Sequence, residues 1–517
     1  MEQCLDRTEA ALRRAVARVD RGMLAAVGLA AVLCMWLVHG FAFANLFPNH
    51  DSTVLVFDAQ WTMYVLGRWA QIPYYTLVRG KVASPLMIGA FATLWLAVSG
   101  YCIAKLLGLR RWAAALLTAL LGSCASVTAQ LATYTFYTDA FLLAMALACV
   151  GAYALHALPR GWGLAAAMLC FMGSMSLYQS YIQFAVGLCL LVLLRRAIQG
   201  CDWKPWCMQG LRDLAALAGG GVLYLVSVKV TLALTGYQLA DTGNGLGQLA
   251  RLSVGKLLGM VPASIVNLGA FLLGHSSWND RAMRAATALL GLLALALLLR
   301  VLRGQGLRAA LQSGIALVLL LLGLNVIYLL TSGNVYVLTQ HAIFLLYAVP
   351  LLLCGELRPG TAPRALLRWA CGALIAFLVL RNGIYANGAY VYADLMEQHT
   401  QSQLYTILAE VRDLPGYTEG ETPIAFVGEP TGSAFAYHNP ALARYSNGDL
   451  NQVDSAVTYD GTFAWYFRHV LGSTARVVDQ QGELYRLREL SAVKAMPTYP
   501  NAGYCAIING TAVVKLA

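Results

Sequence analysis

The chain has 517 residues, 59% of them hydrophobic and 12% charged, and carries a formal net charge of +11. A soluble domain carries roughly twice that charge fraction, and here apolar stretches long enough to cross a bilayer core recur along the sequence. A soluble globular protein is thereby excluded. The excess of Lys and Arg reports on membrane topology before it reports on nucleic acid, for which no other signal exists.

Arg7, Arg13, Arg14, Arg18 and Arg21 precede the first apolar run, from Gly22 to Phe43. Ala42-Phe43-Ala44 resembles a signal-peptidase site, but the run is too long for a signal-peptide core. An uncleaved signal anchor with a cytoplasmic N-terminus is the expectation. Further runs follow at 85–107, 112–131, 139–157, 162–177, 181–197, 213–235, 283–302, 308–330, 341–356 and 366–384, giving eleven spans. The loops then assigned inside contain Lys105, Arg110 and Arg111; Arg160; Arg195, Arg196, Lys204 and Arg212; Arg300, Arg303 and Arg308; Arg358, Arg364 and Arg368. The short loops assigned outside, near 132–138, 178–180 and 331–340, hold no Lys or Arg. Every short loop obeys the positive-inside rule.

Two outside loops are longer, 44–84 and 236–282. The second begins with Thr242-Gly243-Asn244-Gly245-Leu246-Gly247, a flexible linker with no phosphate-loop spacing. It also holds an apolar piece, Leu257 to Leu273, interrupted by Gly259, Pro262, Asn267 and Gly269. A crossing there would invert all later loops against the charge rule, so this piece is expected to be interfacial or re-entrant. The predicted division is a cytoplasmic N-terminus (1–21), a transmembrane domain (22–384) and an extracytoplasmic α/β domain (385–517). In the last, Tyr390 to Arg412 reads as an amphipathic helix and Pro423 to Gly428 as a buried strand. Ala506 to Val514 reads as a hairpin about Asn509-Gly510.

Eight cysteines, at positions 34, 102, 124, 149, 170, 189, 354 and 371, lie in apolar segments, where cysteine behaves as a small hydrophobe. Cys201 and Cys207 flank a loop without a second pair or a histidine, and Cys505 is alone after residue 385, so neither a metal site nor a disulfide framework is indicated.

Polar chemistry gathers in the outside loops. Loop 44–84 carries Asp51 and Asp58, which a helix would place about 20° apart on one face, with Trp61, Arg68, Trp69 and Arg79 beyond. The tryptophans suit the headgroup zone, and the arginines suit either the two carboxylates or a lipid phosphate. Solvated acids on an ordinary interfacial helix are the bland alternative. Tyr134-Thr135-Phe136-Tyr137-Thr138-Asp139 ends in a carboxylate that an N-cap would explain equally well. Next come Tyr178-Gln179-Ser180-Tyr181-Ile182-Gln183 and the loop ending in Gln340-His341. Aromatic faces stack on sugar rings, and carboxylates and amides bind sugar hydroxyls. No HExxH, Walker loop or nucleophile elbow occurs in these loops.

In order along the chain, the acidic first loop, Gly67-Arg68-Trp69, Thr138-Asp139, Leu177-Tyr178-Gln179-Ser180-Tyr181-Ile182, Tyr385-Ala386-Asn387 and Phe426-Val427-Gly428 resemble the GtrII-like bacterial glucosyltransferases. The resemblance runs from about residue 40 to 430. It implies a mainly α, GT-C-type membrane protein of about 11 transmembrane helices, N-terminus in and C-terminus out, in the bacterial inner membrane. It implies transfer of a hexose, typically glucose, from a polyprenyl-phosphate carrier to an O-antigen or other surface polysaccharide on the extracytoplasmic side. A small flippase and a donor-synthesising glycosyltransferase are the partners it implies. Carried onto this sequence, Asp51 or Asp58 is the catalytic base, and Arg68, Arg79 and Arg381 are phosphate contacts. Asp139, Tyr137, Tyr178, Gln179 and His341 contact sugar or acceptor. Relatives often show adjacent acids in the first loop, whereas here His50-Asp51 is followed by an acid only at Asp58. That spacing favours neither a two-carboxylate metal site nor one aspartate over the other; Asp51 is the preferred base, and no metal or cofactor is expected. A lipid-glycan flippase or transporter is the alternative, but such proteins line a path with ionisable residues inside the spans. Here Lys229 is nearly alone there. A non-catalytic assembly partner, with 385–517 as its interaction module, is the third reading.

Overall fold

The computed structural model describes residues 19–49, 60–240, 253–357, 362–430, 432–445, 455–458 and 461–516. Asp51, Asp58 and the Gly-rich run 242–247 lie outside the described residues.

The membrane part is a helical bundle: α1 (Arg21–Ala44), α2 (Pro85–Leu107), α3 (Arg111–Ser123), α4 (Thr138–Ala157), α5 (Arg160–Leu177), α6 (Ile182–Ile198), α7 (Trp203–Thr235), α8 (Val254–Leu273), α9 (Arg281–Leu302), α10 (Gly306–Leu324), α11 (Ala348–Glu356) and α12 (Ala362–Arg412). Small residues let the helices approach closely, as packing within lipid requires. A Cβ on Gly89 would lie 2.6 Å from the Phe43 ring, and one on Gly100 would lie 2.3 Å from the Thr118 hydroxyl. Asp20 caps α1 through the Met23 amide at 3.0 Å and faces Lys105 and Arg111, pinning the start of α1 to the ends of α2 and α3. Gly108, at φ +63°, ends α2 in the left-handed conformation that glycine adopts without cost.

Among the described residues, eleven helical stretches are long and apolar enough to cross a membrane. The number equals the sequence expectation, but the membership differs. Gly255–Leu273 qualifies, and α5 does not, because Arg160, Trp162 and its glycines dilute its apolar character. α5 nonetheless packs along α4 and α7, with its Ser174 hydroxyl on the Ala144 carbonyl at 2.7 Å. α8 packs at one end of α10: Ser264 and Asn267 bond Asn325, which terminates α10, and Asn267 also takes a bond from Gln340.

Two spans are broken where they meet. The helix starting at Arg111 breaks at Cys124 (φ −65°, ψ 159°) and resumes as Ala125–Thr133, while 337–347 enters the bundle as a 3-10 helix before α11. A break at this depth frees carbonyls that water cannot reach, so protein donors must take them. Two histidines do so. His341 Nε2 bonds the Leu121 carbonyl at 2.9 Å and its Nδ1 meets the Tyr181 hydroxyl at 3.1 Å. His39 Nε2 bonds the Gly122 carbonyl at 2.8 Å and its Nδ1 meets the Tyr390 hydroxyl at 2.7 Å. In each case Nε2 donates to a carbonyl and the other ring nitrogen is bonded to a tyrosine hydroxyl.

α12 is one continuous helix that passes from the bundle into the tail, so the expected boundary at 385 falls inside a helix. Beyond Gly388, which lets Tyr445 pack directly on the backbone, its Leu404, Ile407, Leu408 and Val411 form one wall of the tail core. Opposite stands a three-stranded sheet in the order β1 (Ile424–Val427), β3 (Thr511–Lys515), β2 (Cys505–Ile508). β2 and β3 form the expected hairpin, with Asn509 and Gly510 both at positive φ as a type I′ turn needs. β1 joins β3 in parallel.

His341→Leu leaves the Leu121 carbonyl buried without a donor, which costs about 1–3 kcal/mol. The apparent unfolding temperature in detergent is expected to drop for His341→Leu, and to drop less for His341→Gln, which keeps a donor.

Candidate active site

Residues 134–139, 178–183 and 336–341 meet at the end of the bundle from which the tail domain projects. The stretch 60–79, between α1 and α2, packs against them. It runs as a short helix Gln60–Val65, a turn, a second short helix from Gln71 and a π-helical turn Tyr74–Arg79. Gly67, at φ +70°, makes the turn.

This turn is held from below. Gln179 Nε2 donates to the Leu66 carbonyl and to the Tyr224 hydroxyl, both at 2.8 Å, and Tyr224 donates to the Gly67 carbonyl at 3.2 Å. Trp69 Nε1 reaches Ser227 of α7 at 3.0 Å, and Gln71 Nε2 reaches the Leu177 carbonyl at 2.7 Å. The Gly67-Arg68-Trp69 and Tyr178-Gln179 motifs, more than a hundred positions apart, are thus one structural unit. Gln179 acts on backbone and on Tyr224, as a positioning residue.

Arg68 is the product of that positioning. Its guanidinium lies over the Tyr178 ring, 4.6 Å from the centroid. Among the described residues it has no ion pair, and its Nε is buried without a hydrogen-bond partner. Tyr178 is in turn packed on Phe141 with centroids 4.2 Å apart. Tyr134, Tyr137 and Tyr336 are half-buried nearby, so the expected aromatic surface exists, with Tyr137 stacked on Phe141.

Arg79 is placed differently. It is 6% exposed and forms an ion pair with Asp139, Nε to Oδ2 at 3.5 Å, with both side chains sealed from solvent. Its other nitrogens donate to the carbonyls of Val82 (3.0 Å) and Phe136 (3.3 Å), and its plane lies against the Tyr75 and Phe136 rings. Tyr74 donates to Asp139 Oδ2 at 2.9 Å. Burial, with the Asp139 carboxylate beside it, raises the Tyr74 phenol well above its ordinary range and keeps it a donor. Asp139 is therefore not an N-cap: it lies in the first turn of α4 and closes a buried network.

Arg381 belongs to another cluster. It pairs with Asp280, the N-cap of α9, beside Ser277 and Tyr385. Burial works to raise the Asp280 carboxyl, but the Met283 amide and Arg381 outweigh it and hold the group below the ordinary carboxylate range. Arg444 of the tail joins this cluster through the Ser277 carbonyl at 2.9 Å. His341, 2% exposed, has both ring nitrogens engaged at the helix break. Sequence reasoning missed the roles of Tyr74, Tyr224 and Ser227; only the clustering of tyrosines after Arg68 hinted at the first.

These observations define the class: a polytopic membrane protein with a cation seated on an aromatic ring at one end of its bundle. The family model for glucosyl transferase GtrII matches residues 40–354. The chain belongs to that family, and its activity is glucosyl transfer by a membrane glycosyltransferase. No curated protein and no solved structure matches it. The match ends before α12 and the tail, so the Tyr385-Ala386-Asn387 and Phe426-Val427-Gly428 motifs lie beyond it.

Removing one partner of a buried ion pair costs about 3–5 kcal/mol, because the other charge stays buried. Arg79→Met and Asp139→Leu are each expected to unfold at clearly lower temperature, whereas the double variant recovers most of the loss. Thermal unfolding of the four proteins in one detergent checks this.

Proposed function

We propose that the protein transfers glucose from a polyprenyl-phosphate-linked donor to a glycan outside the cytoplasm, such as O-antigen or another surface polysaccharide, from the bacterial inner membrane. The observation that carries this reading is Arg68: a guanidinium presented on an aromatic ring, without an ion pair among the described residues, at a membrane-domain end. A lipid-linked donor keeps its tail in the bilayer and presents its phosphosugar at the headgroup plane, where such a cation meets it.

In the reaction the bond between the glucosyl C1 and the phosphate oxygen breaks and a bond from C1 to the acceptor oxygen forms. Arg68 holds the charge that develops on the departing phosphate. A carboxylate takes the proton of the acceptor hydroxyl. Asp51 and Asp58, carried over from the family resemblance, are the candidates, with Asp51 preferred. Tyr178, Tyr137 and their neighbours supply stacking surface for sugar rings. Arg79 and Asp139, Arg381 with Asp280, and Gln179 serve by positioning, since each is tied to a protein partner. A small flippase and a donor-synthesising glycosyltransferase would supply the lipid-linked sugar at the outer face.

The purified protein is to be offered polyprenyl-phosphate-glucose with acceptor glycan. Asp51→Asn is expected to lower transfer by about 10²–10⁴-fold, with Asp58→Asn less affected; full activity in both variants contradicts the base assignment. Arg68→Ala is expected to lower kcat by about 10²–10³-fold. If the wild type neither binds nor consumes the lipid-linked sugar, the donor reading fails.

A further inference from the structure

Toward the other end of the bundle, three helices bring together a set of side chains with no part in the transfer site. His156 stands in the last turn of α4, Cys189 on α6 and Asp213 on α7. One ligand-type atom from each, an imidazole nitrogen, a thiol sulfur and a carboxylate oxygen, lies within 4.8 Å of the other two. The cysteine and the aspartate are each 2% exposed.

The protein alone leaves this cluster unsatisfied. Asp213 Oδ2 and His156 Nε2 are buried without a hydrogen-bond partner among the described residues, although His156 Nε2 stands only 3.4 Å from Asp213 Oδ1. Cys189 is a free, buried thiol. A buried carboxylate oxygen with no donor is unfavourable inside a membrane domain unless something completes it. Gln209, one turn earlier on α7, donates to Asp213 Oδ1 at 2.7 Å and so fixes the carboxylate with Oδ2 left over. Orientation of a ligating carboxylate by a neighbouring amide is the usual outer layer of a metal site.

We propose that His156, Cys189 and Asp213 bind a divalent transition metal, with zinc the ion best suited to this donor set. One nitrogen, one sulfur and one oxygen ligand in a small cluster fit zinc's tetrahedral preference, with a fourth position for water. Binding replaces the thiol proton: the Cys189 S–H bond breaks, a sulfur–metal bond forms, and one proton leaves to solvent. Thiolate and carboxylate then balance the charge of the ion, so the site is neutral overall, which suits its position with Arg196 and Arg212 nearby. The ion ties α4, α6 and α7 together. It lies apart from Arg68 and the transfer chemistry proposed there.

The test uses the full chain, purified without a polyhistidine tag or chelator, then stripped and titrated with Zn²⁺ and with Co²⁺. The expected result is one zinc per chain, a raised apparent Tm on zinc addition, and a Co²⁺ complex showing a sulfur-to-metal absorption band. Cys189→Ser is expected to abolish that band, Asp213→Asn to abolish stoichiometric binding, and Gln209→Ala to weaken binding by about 10–100-fold. A wild-type chain that takes up no stoichiometric metal and gains no Tm overturns the proposal, whatever the variants do, and leaves a buried His–Asp pair. Binding that persists unchanged in Cys189→Ser and Asp213→Asn overturns it equally.

Discussion

The pairing of Arg79 with Asp139 is the contact on which the site end of the bundle depends. Two charges sealed from water are tolerated when each neutralises the other and neighbouring groups take up further donors and acceptors. Here Val82, Phe136 and Tyr74 supply polar partners and the Tyr75 and Phe136 rings cover the guanidinium, while Asp139 Oδ1 has no hydrogen-bond partner among the described residues. The consequence is geometric. The stretch 60–79, which also buries Met63, Ile72, Tyr74 and Tyr75, is locked onto the first turn of α4. Its other half is held by Gln179, Tyr224 and Ser227, so the turn at Gly67 has both flanks fixed. A cation on a fixed turn is pre-organised for a ligand, and avoids paying for reorganisation when charge develops.

Three arginines that read as equivalent phosphate contacts in the sequence thus have different situations in the fold. Arg79 is held by a carboxylate, two carbonyls and two rings. Arg381 is paired with the cap of α9, next to the point where Arg444 anchors the tail. Arg68 alone of the three is without an ion pair among the described residues. The same sorting separates Gln179 and His341 from the aromatic surface: both are spent on backbone carbonyls, one at the turn and one at the break in α3.

Most of the helical architecture was legible in the sequence because the bilayer imposes a length on its apolar runs. The Asn509-Gly510 hairpin was legible because its turn demands positive φ at two adjacent positions. What hydropathy does not register is a break inside an apolar run. Gly122-Ser123-Cys124-Ala125-Ser126 is as acceptable in a helix as in a kink, and only the histidines facing it from α1 and from the 3-10 segment show which occurred. The continuity of α12 was hidden for the converse reason, since Asn382-Gly383 and Asn387-Gly388 look like breakers yet serve close packing. The Arg79–Asp139 pair joins residues sixty positions apart, beyond any local pattern. Of the candidate site, the Arg68 and Tyr178 motifs were readable as separate signals, but their union was not.

The central claim is that Arg68, seated on Tyr178, receives the phosphate of a lipid-linked donor. A structure of the protein with a non-transferable polyprenyl-phosphate-glucose analogue tests it most directly. The phosphate is expected within hydrogen-bond distance of the Arg68 guanidinium, with the Arg79–Asp139 pair intact beneath it. A phosphate bound elsewhere, or one that breaks the Arg79–Asp139 pair to reach Arg79, would contradict it.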